Sequence, residues 1–143
     1  MKHILFPTDF SDAAACALAT ALELAQVFDS RLTLLHVWSV PSSVYAEALT
    51  WPIDDMQRGA RKYLDAALES ARRSYPKTDA LLREGGEWQQ ILEVVDDLGC
   101  DLVVMGTHGR KGLSRFMLGN VAEKIVRLSR VPVLTVRTPD PAE

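Results

Sequence analysis

Cysteine is scarce: Cys16 and Cys100 are the only two in 143 residues, both in apolar surroundings and without metal-like spacing. That argues against a disulfide framework and a zinc site, and leaves reduced thiols packed as small hydrophobes in a cytoplasmic protein as the expectation. Long apolar runs are missing too. None approaches the roughly 20 residues needed to cross a bilayer, and "MKHILFPTDFSD" has too brief an apolar core for a secretory signal. Positive charge is in deficit, with 16 Lys+Arg against 19 Asp+Glu and a net charge of −3. A general nucleic-acid binder is normally basic, so that class is disfavoured, although a local anion site is not. There is no G-x-x-x-x-G-K-[ST] motif, and the first apolar run is followed by "PTDFSD" rather than G-x-G-x-x-G. A P-loop NTPase and a conventional dinucleotide dehydrogenase are thereby set aside.

What remains is a globular composition, 48% hydrophobic and 24% charged, in a chain the length of one domain. The domain is expected over residues 1–138, with a frayed tail over 139–143. "HILF" (His3–Phe6) reads as a strand buried on both faces, ended by Pro7. Ser11 or Asp12 can cap a helix from about Ala13 to Phe28. "RLTLLHV" (Arg31–Val37) is a second strand, and Trp38–Ile53 a long, partly ordered excursion containing Tyr45 and Trp51. Helical period returns from Asp54 to about Tyr75, with Met56, Ala60, Tyr63, Leu64, Ala67, Leu68 and Ala71 on one stripe. A strand over Asp79–Glu84, a helix over Glu87–Gly99, a strand over Asp101–Met105, a helix over Val121–Ser129 and a last strand over Val131–Arg137 complete the order. Alternating strands and helices predict an α/β domain: an open five-stranded parallel sheet with helices on both faces. Ligands of such sheets bind beyond the carboxyl ends of the strands, where the winding reverses.

One connection is too long for its place. Strand-to-helix loops usually run about 2–6 residues, whereas this one extends from Gly106 to about Leu118. Gly106 and Gly109 leave room for backbone N–H groups to approach a ligand. Gly119 opens a helix whose N-terminus suits an anion, and Arg110, Lys111 and Arg115 add positive charge. From spacing alone, a phosphate loop and a merely solvated glycine-rich turn both remain open.

Four stretches together resemble the universal stress protein family over nearly the whole chain: "ILFPTDFSD", "LTLLHV", "DLVVMGTHGRKGLSRFMLGNVAEKIV" and "VPVLTV". The ATP-binding branch of that family carries G-x2-G-x9-G-[ST], matched here by Gly106, Gly109 and Gly119, with Asn120 in place of Ser or Thr. The resemblance implies a Rossmann-like fold of the adenine nucleotide alpha hydrolase type and a bound adenine nucleotide, ATP, ADP or AMP, with Mg²⁺. It implies that Pro7, Thr8 and Asp9 border the adenosine, with Asp9 and the Val37 backbone near the adenine. Met105 and Gly106 would line the ribose, and Gly109, Arg110, Gly119, Asn120 and Val121 the phosphates. It implies a homodimer joined through the strand Val131–Arg137, and a regulatory role in stress response.

Asn120 bears on this directly, because its amide can donate to a phosphate but brings no hydroxyl for a metal ion. Two alternatives stay open at this point: a nucleotide-independent interaction module of the same family, and a slow ATP hydrolase. His108 has no identifiable acid or nucleophile beside it. His36 reads as a core or hydrogen-bonded histidine, and His3 offers no metal pairing. No catalytic residue is assigned.

Overall fold

The computed structural model describes residues 1–40, 52–107 and 118–138. In chain order the elements are β1 (His3–Pro7), α1 (Asp12–Phe28), β2 (Arg31–Trp38), α2 (Ile53–Ser74), β3 (Thr78–Glu84), α3 (Glu87–Leu98), β4 (Leu102–Gly106), α4 (Asn120–Leu128) and β5 (Val133–Val136). The strands form one parallel sheet in the order β3-β2-β1-β4-β5.

Local chemistry sets the start of α1 and the end of α3. Ser11 caps α1, its Oγ accepting from Ala14 N–H at 3.2 Å. Gly99 closes α3 in the left-handed conformation at φ 64°, its N–H reaching back to the carbonyls of Asp96 and Val95. Along α1 the buried positions are all alanines: Ala13, Ala14, Ala17, Ala21 and Ala25. Side chains that small let the helix lie close against Ile4, Phe6, Leu32, Leu34 and Val104 of the sheet. Leu64 and Ala71 of α2 join the same layer. On the opposite face, Ile91, Val94 and Val95 of α3 and Ala122 and Ile125 of α4 close over Leu5, Leu35, Val37, Val103 and Met105. Burying each large aliphatic side chain contributes about 1.5–3 kcal/mol, and the central strands are buried on both faces.

The differences from expectation are confined to edges. Tyr63 stands on the shoulder of the α2 stripe, 68% exposed, rather than in the core. Trp38 and Ile53, the ends of the expected excursion, belong to β2 and α2, and residues 41–51 between them lie outside the described residues. The tail, residues 139–143, lies outside them as well. β5 is shorter than Val131–Arg137. Pro132 has no N–H, and the backbone of Val131 is tied to Ser129 Oγ, its N–H donating at 3.1 Å and its carbonyl accepting at 2.8 Å. At the other end, the ladder stops where Thr107 N–H meets the Val136 carbonyl.

Candidate functional site

The chain winds outward from β1 to β2 and β3 with α1 and α2 on one face. It then returns through α3 to β4 and β5 on the other face, so the winding reverses between β1 and β4. β1 and β2 stay in register as far as Pro7 opposite Leu35, whereas the β1–β4 pairing ends at Leu5 opposite Val103. The strands part there, and a cleft of about 540 Å³ opens above their carboxyl ends. Its size and place are those of a small-molecule site in an open α/β sheet.

Of the residues singled out from sequence, Pro7, Thr8, Asp9, Val37, Met105, Gly106, Gly119, Asn120 and Val121 all line this cleft. Gly109 and Arg110, with His108, Lys111 and Arg115, lie outside the described residues. The cleft also takes in Ser11, His36, Ser39, Glu87, Ile91 and Thr107, which the sequence reading did not place in a ligand site. Glu87 was findable. It is the first helical residue after β3, and the same strand-end rule that selected the other positions applies to it.

One wall is the turn after β1. Phe10 N–H donates to Thr8 Oγ1 at 3.1 Å and Ser11 N–H to Asp9 Oδ1 at 2.9 Å. These bonds hold Phe10 at φ 62°, a conformation uncommon for a bulky residue. The Phe10 ring lies on His36, centroids 4.5 Å apart. His36 Nδ1–H donates to the Thr8 carbonyl at 2.9 Å, since a carbonyl can only accept. His36 is thus a hydrogen-bonded, buried histidine that braces the turn. Asp9 both shapes the turn and faces the cleft.

The second wall carries a backbone edge. Arg31 N–H donates to the Lys2 carbonyl and Thr8 N–H to the Leu35 carbonyl, so odd-numbered residues of β2 turn their polar groups toward β1. Gly85 N–H reaches the Trp38 carbonyl, so even-numbered ones face β3. Val37 comes two residues after Leu35, where β1 has run out and the Thr8 carbonyl is engaged by His36. Its N–H and C=O therefore project side by side into the cleft, above the apolar side chains of Leu35 and Ile91.

The third wall is the start of α4. Gly119, as N-cap, has no side chain to satisfy the helix, and its own N–H donates to the Thr107 carbonyl at 2.6 Å. That bond closes the base of the glycine-rich loop. Glu123 N–H returns to the Gly119 carbonyl at 2.9 Å. The N–H groups of Asn120, Val121 and Ala122 are left without an intrahelical partner, and with the helix dipole they present a positive end that suits an anion. Gly106 has a packing reason as well as a place in the cleft. A Cβ there would lie 3.0 Å from the Ala13 carbonyl oxygen, a tight contact that glycine avoids where α1 seats on the end of β4.

Among the described lining residues the ionic side chains are Asp9 and Glu87, and none is Lys or Arg. Cys100 is buried on the α3 side away from the cleft, and burial pushes its thiol up to about 11, so it is inert at neutral pH.

The universal stress protein family profile matches residues 1–137 of the chain. The chain is 31% identical over 141 residues to the universal stress protein MJ0531 of Methanocaldococcus jannaschii, across 96% of this chain and 83% of that one. The solved structure of MJ0577, from the same organism, superposes with a TM-score of 0.81 at 26% identity, 97% of each chain being covered. A universal stress protein from Archaeoglobus fulgidus, solved in complex with dAMP, superposes with a TM-score of 0.67 at 22% identity, over 94% of this chain and 96% of that one. The sheet order, the strand-end cleft and a profile running from the first residue to the end of β5 agree: the chain belongs to the universal stress protein family.

Proposed function

We propose that this chain binds an adenine nucleotide in the cleft and uses it as a regulatory ligand in stress response. The observation that carries this reading is the polarity of the cleft along its length. The open N-terminus of α4 stands on the β4 side and the Val37 donor–acceptor edge, over an apolar floor, on the β2 side. A helix N-terminus suits a phosphate. A neighbouring N–H and C=O suit adenine, whose ring nitrogen accepts beside an amino group that donates. In this pose Pro7, Thr8 and Asp9 border the adenosine, and Met105 and Gly106 the ribose. Gly109, Arg110, Gly119, Asn120 and Val121 surround the phosphates. The dAMP held by the Archaeoglobus protein of the same fold supports this class of ligand.

ATP is the nucleotide we favour, with Mg²⁺ carried on its phosphates. Among the described residues no group of three or more His, Cys, Asp or Glu side chains could hold the ion alone. Asn120 supplies an amide where a hydroxyl would serve a metal. The protein acts in the cytoplasm as a homodimer joined along β5, and turnover is at most slow. The test is to purify the protein, release any small molecule by denaturation, identify it by mass spectrometry, and titrate ATP and AMP calorimetrically with and without Mg²⁺. Adenine nucleotide in the supernatant, or saturable binding heat, is the expected result. Neither one, at millimolar ligand, would overturn the reading in favour of a nucleotide-independent interaction module.

A further inference from the structure

Glu87 stands at the first position of α3 and lines the cleft, as the open end of α4 does. Ile91 lies four residues on, buried in the core layer with Leu35 and Val37. Residues four apart share one helix face, so Glu87 sits directly above Ile91, one turn (about 5.4 Å) nearer the mouth of the cleft. Both residues line the cleft. The sheet order fixes the rest. α3 packs on β2, the neighbour of β1 on one side, while α4 follows β4, the neighbour on the other. Glu87 and the Val37 edge therefore mark one end of the cleft, and the N–H groups of Asn120, Val121 and Ala122 the opposite end.

A nucleotide is linear in its chemistry: phosphate, then ribose, then base. With the phosphate on α4, the base is the part that reaches α3. A carboxylate only accepts, through two oxygens with capacity for several bonds. It favours a base that presents an amino group there and disfavours one that presents a carbonyl oxygen. We infer that Glu87 is a specificity-determining residue that accepts a hydrogen bond from the exocyclic amino group of the base and so selects 6-amino over 6-oxo purine nucleotides. The inference rests on the proposed nucleotide reading and adds the group that discriminates between bases. Val37 contributes to the same choice through its backbone, so the part due to Glu87 is read from a side-chain variant and not from the wild type alone.

The experiment measures affinities for AMP, IMP and 2′-deoxy-AMP in the wild type and in Glu87→Gln. The glutamine keeps the length of the side chain and adds an N–H₂ that can donate to a 6-oxo group. Glu87 is exposed at a helix start, so the substitution leaves the core untouched, and a thermal melt verifies folding. The expected result is that the AMP-over-IMP preference of the wild type shrinks about tenfold in Glu87→Gln, since a hydrogen bond to a charged group is worth about that factor in affinity. The AMP-to-deoxy-AMP ratio stays unchanged. If AMP binds both proteins with the same AMP-over-IMP ratio, the inference fails while the nucleotide reading stands. If the variant changes the AMP-to-deoxy-AMP ratio instead, Glu87 reads the ribose and the inference is overturned. If the wild type binds none of the three, the nucleotide reading falls, and this inference falls with it.

Discussion

His3 opens β1 at the end of the sheet remote from the cleft, where it is 5% exposed and its Nε2 lies 2.7 Å from Thr33 Oγ1. Burial pushes its imidazole below the usual value of 6.5, and the positive charge of Arg31 pushes the same way. The folded chain thus resists a proton that the unfolded chain accepts, which makes stability rise with pH. Above the unfolded value the two states bind equally and nothing is lost; as pH falls below 6.5, stability declines toward the folded value. Asp101 works in the same sense at lower pH. Burial opposes its ionisation, but the N–H groups of Lys2 and His3 hold its carboxyl below 3.8, so that its contribution is lost as pH falls through the folded value. The urea midpoint of the wild type is expected to fall between about pH 7.5 and about pH 5, and His3→Gln to flatten that slope. Equal wild-type midpoints at the two pH values would contradict this account. The residue scale is also where the sequence is least legible. Asp9 could be placed because it ends a strand motif, but nothing in a phenylalanine announces the left-handed turn at Phe10. That conformation is imposed by Thr8, Asp9 and His36 together.

At the scale of elements, α2 carries a glycine in its interior. A Cβ added at Gly59 meets no atom within 4 Å, and the residue is not in the left-handed region. Gly59→Ala should therefore stabilise the fold by about 0.5–1 kcal/mol, by lowering the entropy of the unfolded chain and raising helix propensity. In a chain of this size a thermal melt should then rise by about 2–4 °C; a fall would mean that the glycine serves a contact that α2 makes elsewhere. The existence and type of every described element were legible, because period, caps and proline positions agree locally. Ser11, Gly99 and the alanine face of α1 each specify a boundary or a surface without help from distant residues. The errors fell where partners decide. Tyr63 has the right spacing for the α2 stripe, yet it is exposed and its ring centroid lies 5.8 Å from that of Phe10, whereas its neighbour Leu64 is fully buried. β5 is trimmed at its start, where the backbone of Val131 is tied to Ser129 Oγ by hydrogen bonds that no strand pattern contains.

For the whole molecule, the open question of assembly turns on the edge of the sheet. β5 is the last strand in the order, and Leu134 on it is 38% exposed. Val103 N–H meets the Pro132 carbonyl and Thr107 N–H the Val136 carbonyl, so even-numbered residues of β5 face β4. Val133 and Thr135 then turn their backbone N–H groups outward, the arrangement that pairs with another strand. Under the proposed dimer, light scattering should return twice the mass of one chain. Thr135→Pro should shift it to a monomer, since it removes an outward N–H while sparing the ladder to β4. A wild type that runs as a monomer at tens of micromolar would dispose of the β5 dimer. A variant that stays dimeric would move the interface elsewhere.

Taken by itself, the sequence determined the alternation of strand and helix, the parallel sheet, and the candidate strand ends Pro7–Asp9, Val37 and Met105–Gly106. All of these are set by periodicity and punctuation within a few residues. Only the tertiary structure decided that those ends converge on one cleft, because convergence depends on the β3-β2-β1-β4-β5 order and on β1 and β4 parting after Leu5 and Val103. It decided that Gly106 serves close packing against Ala13, and that Gly119 donates its N–H to Thr107 while the next three N–H groups have no intrahelical partner. It also brought Glu87 into the lining of the cleft. Hydrogen-bond direction and cross-sheet placement are long-range properties, and no local pattern encodes them.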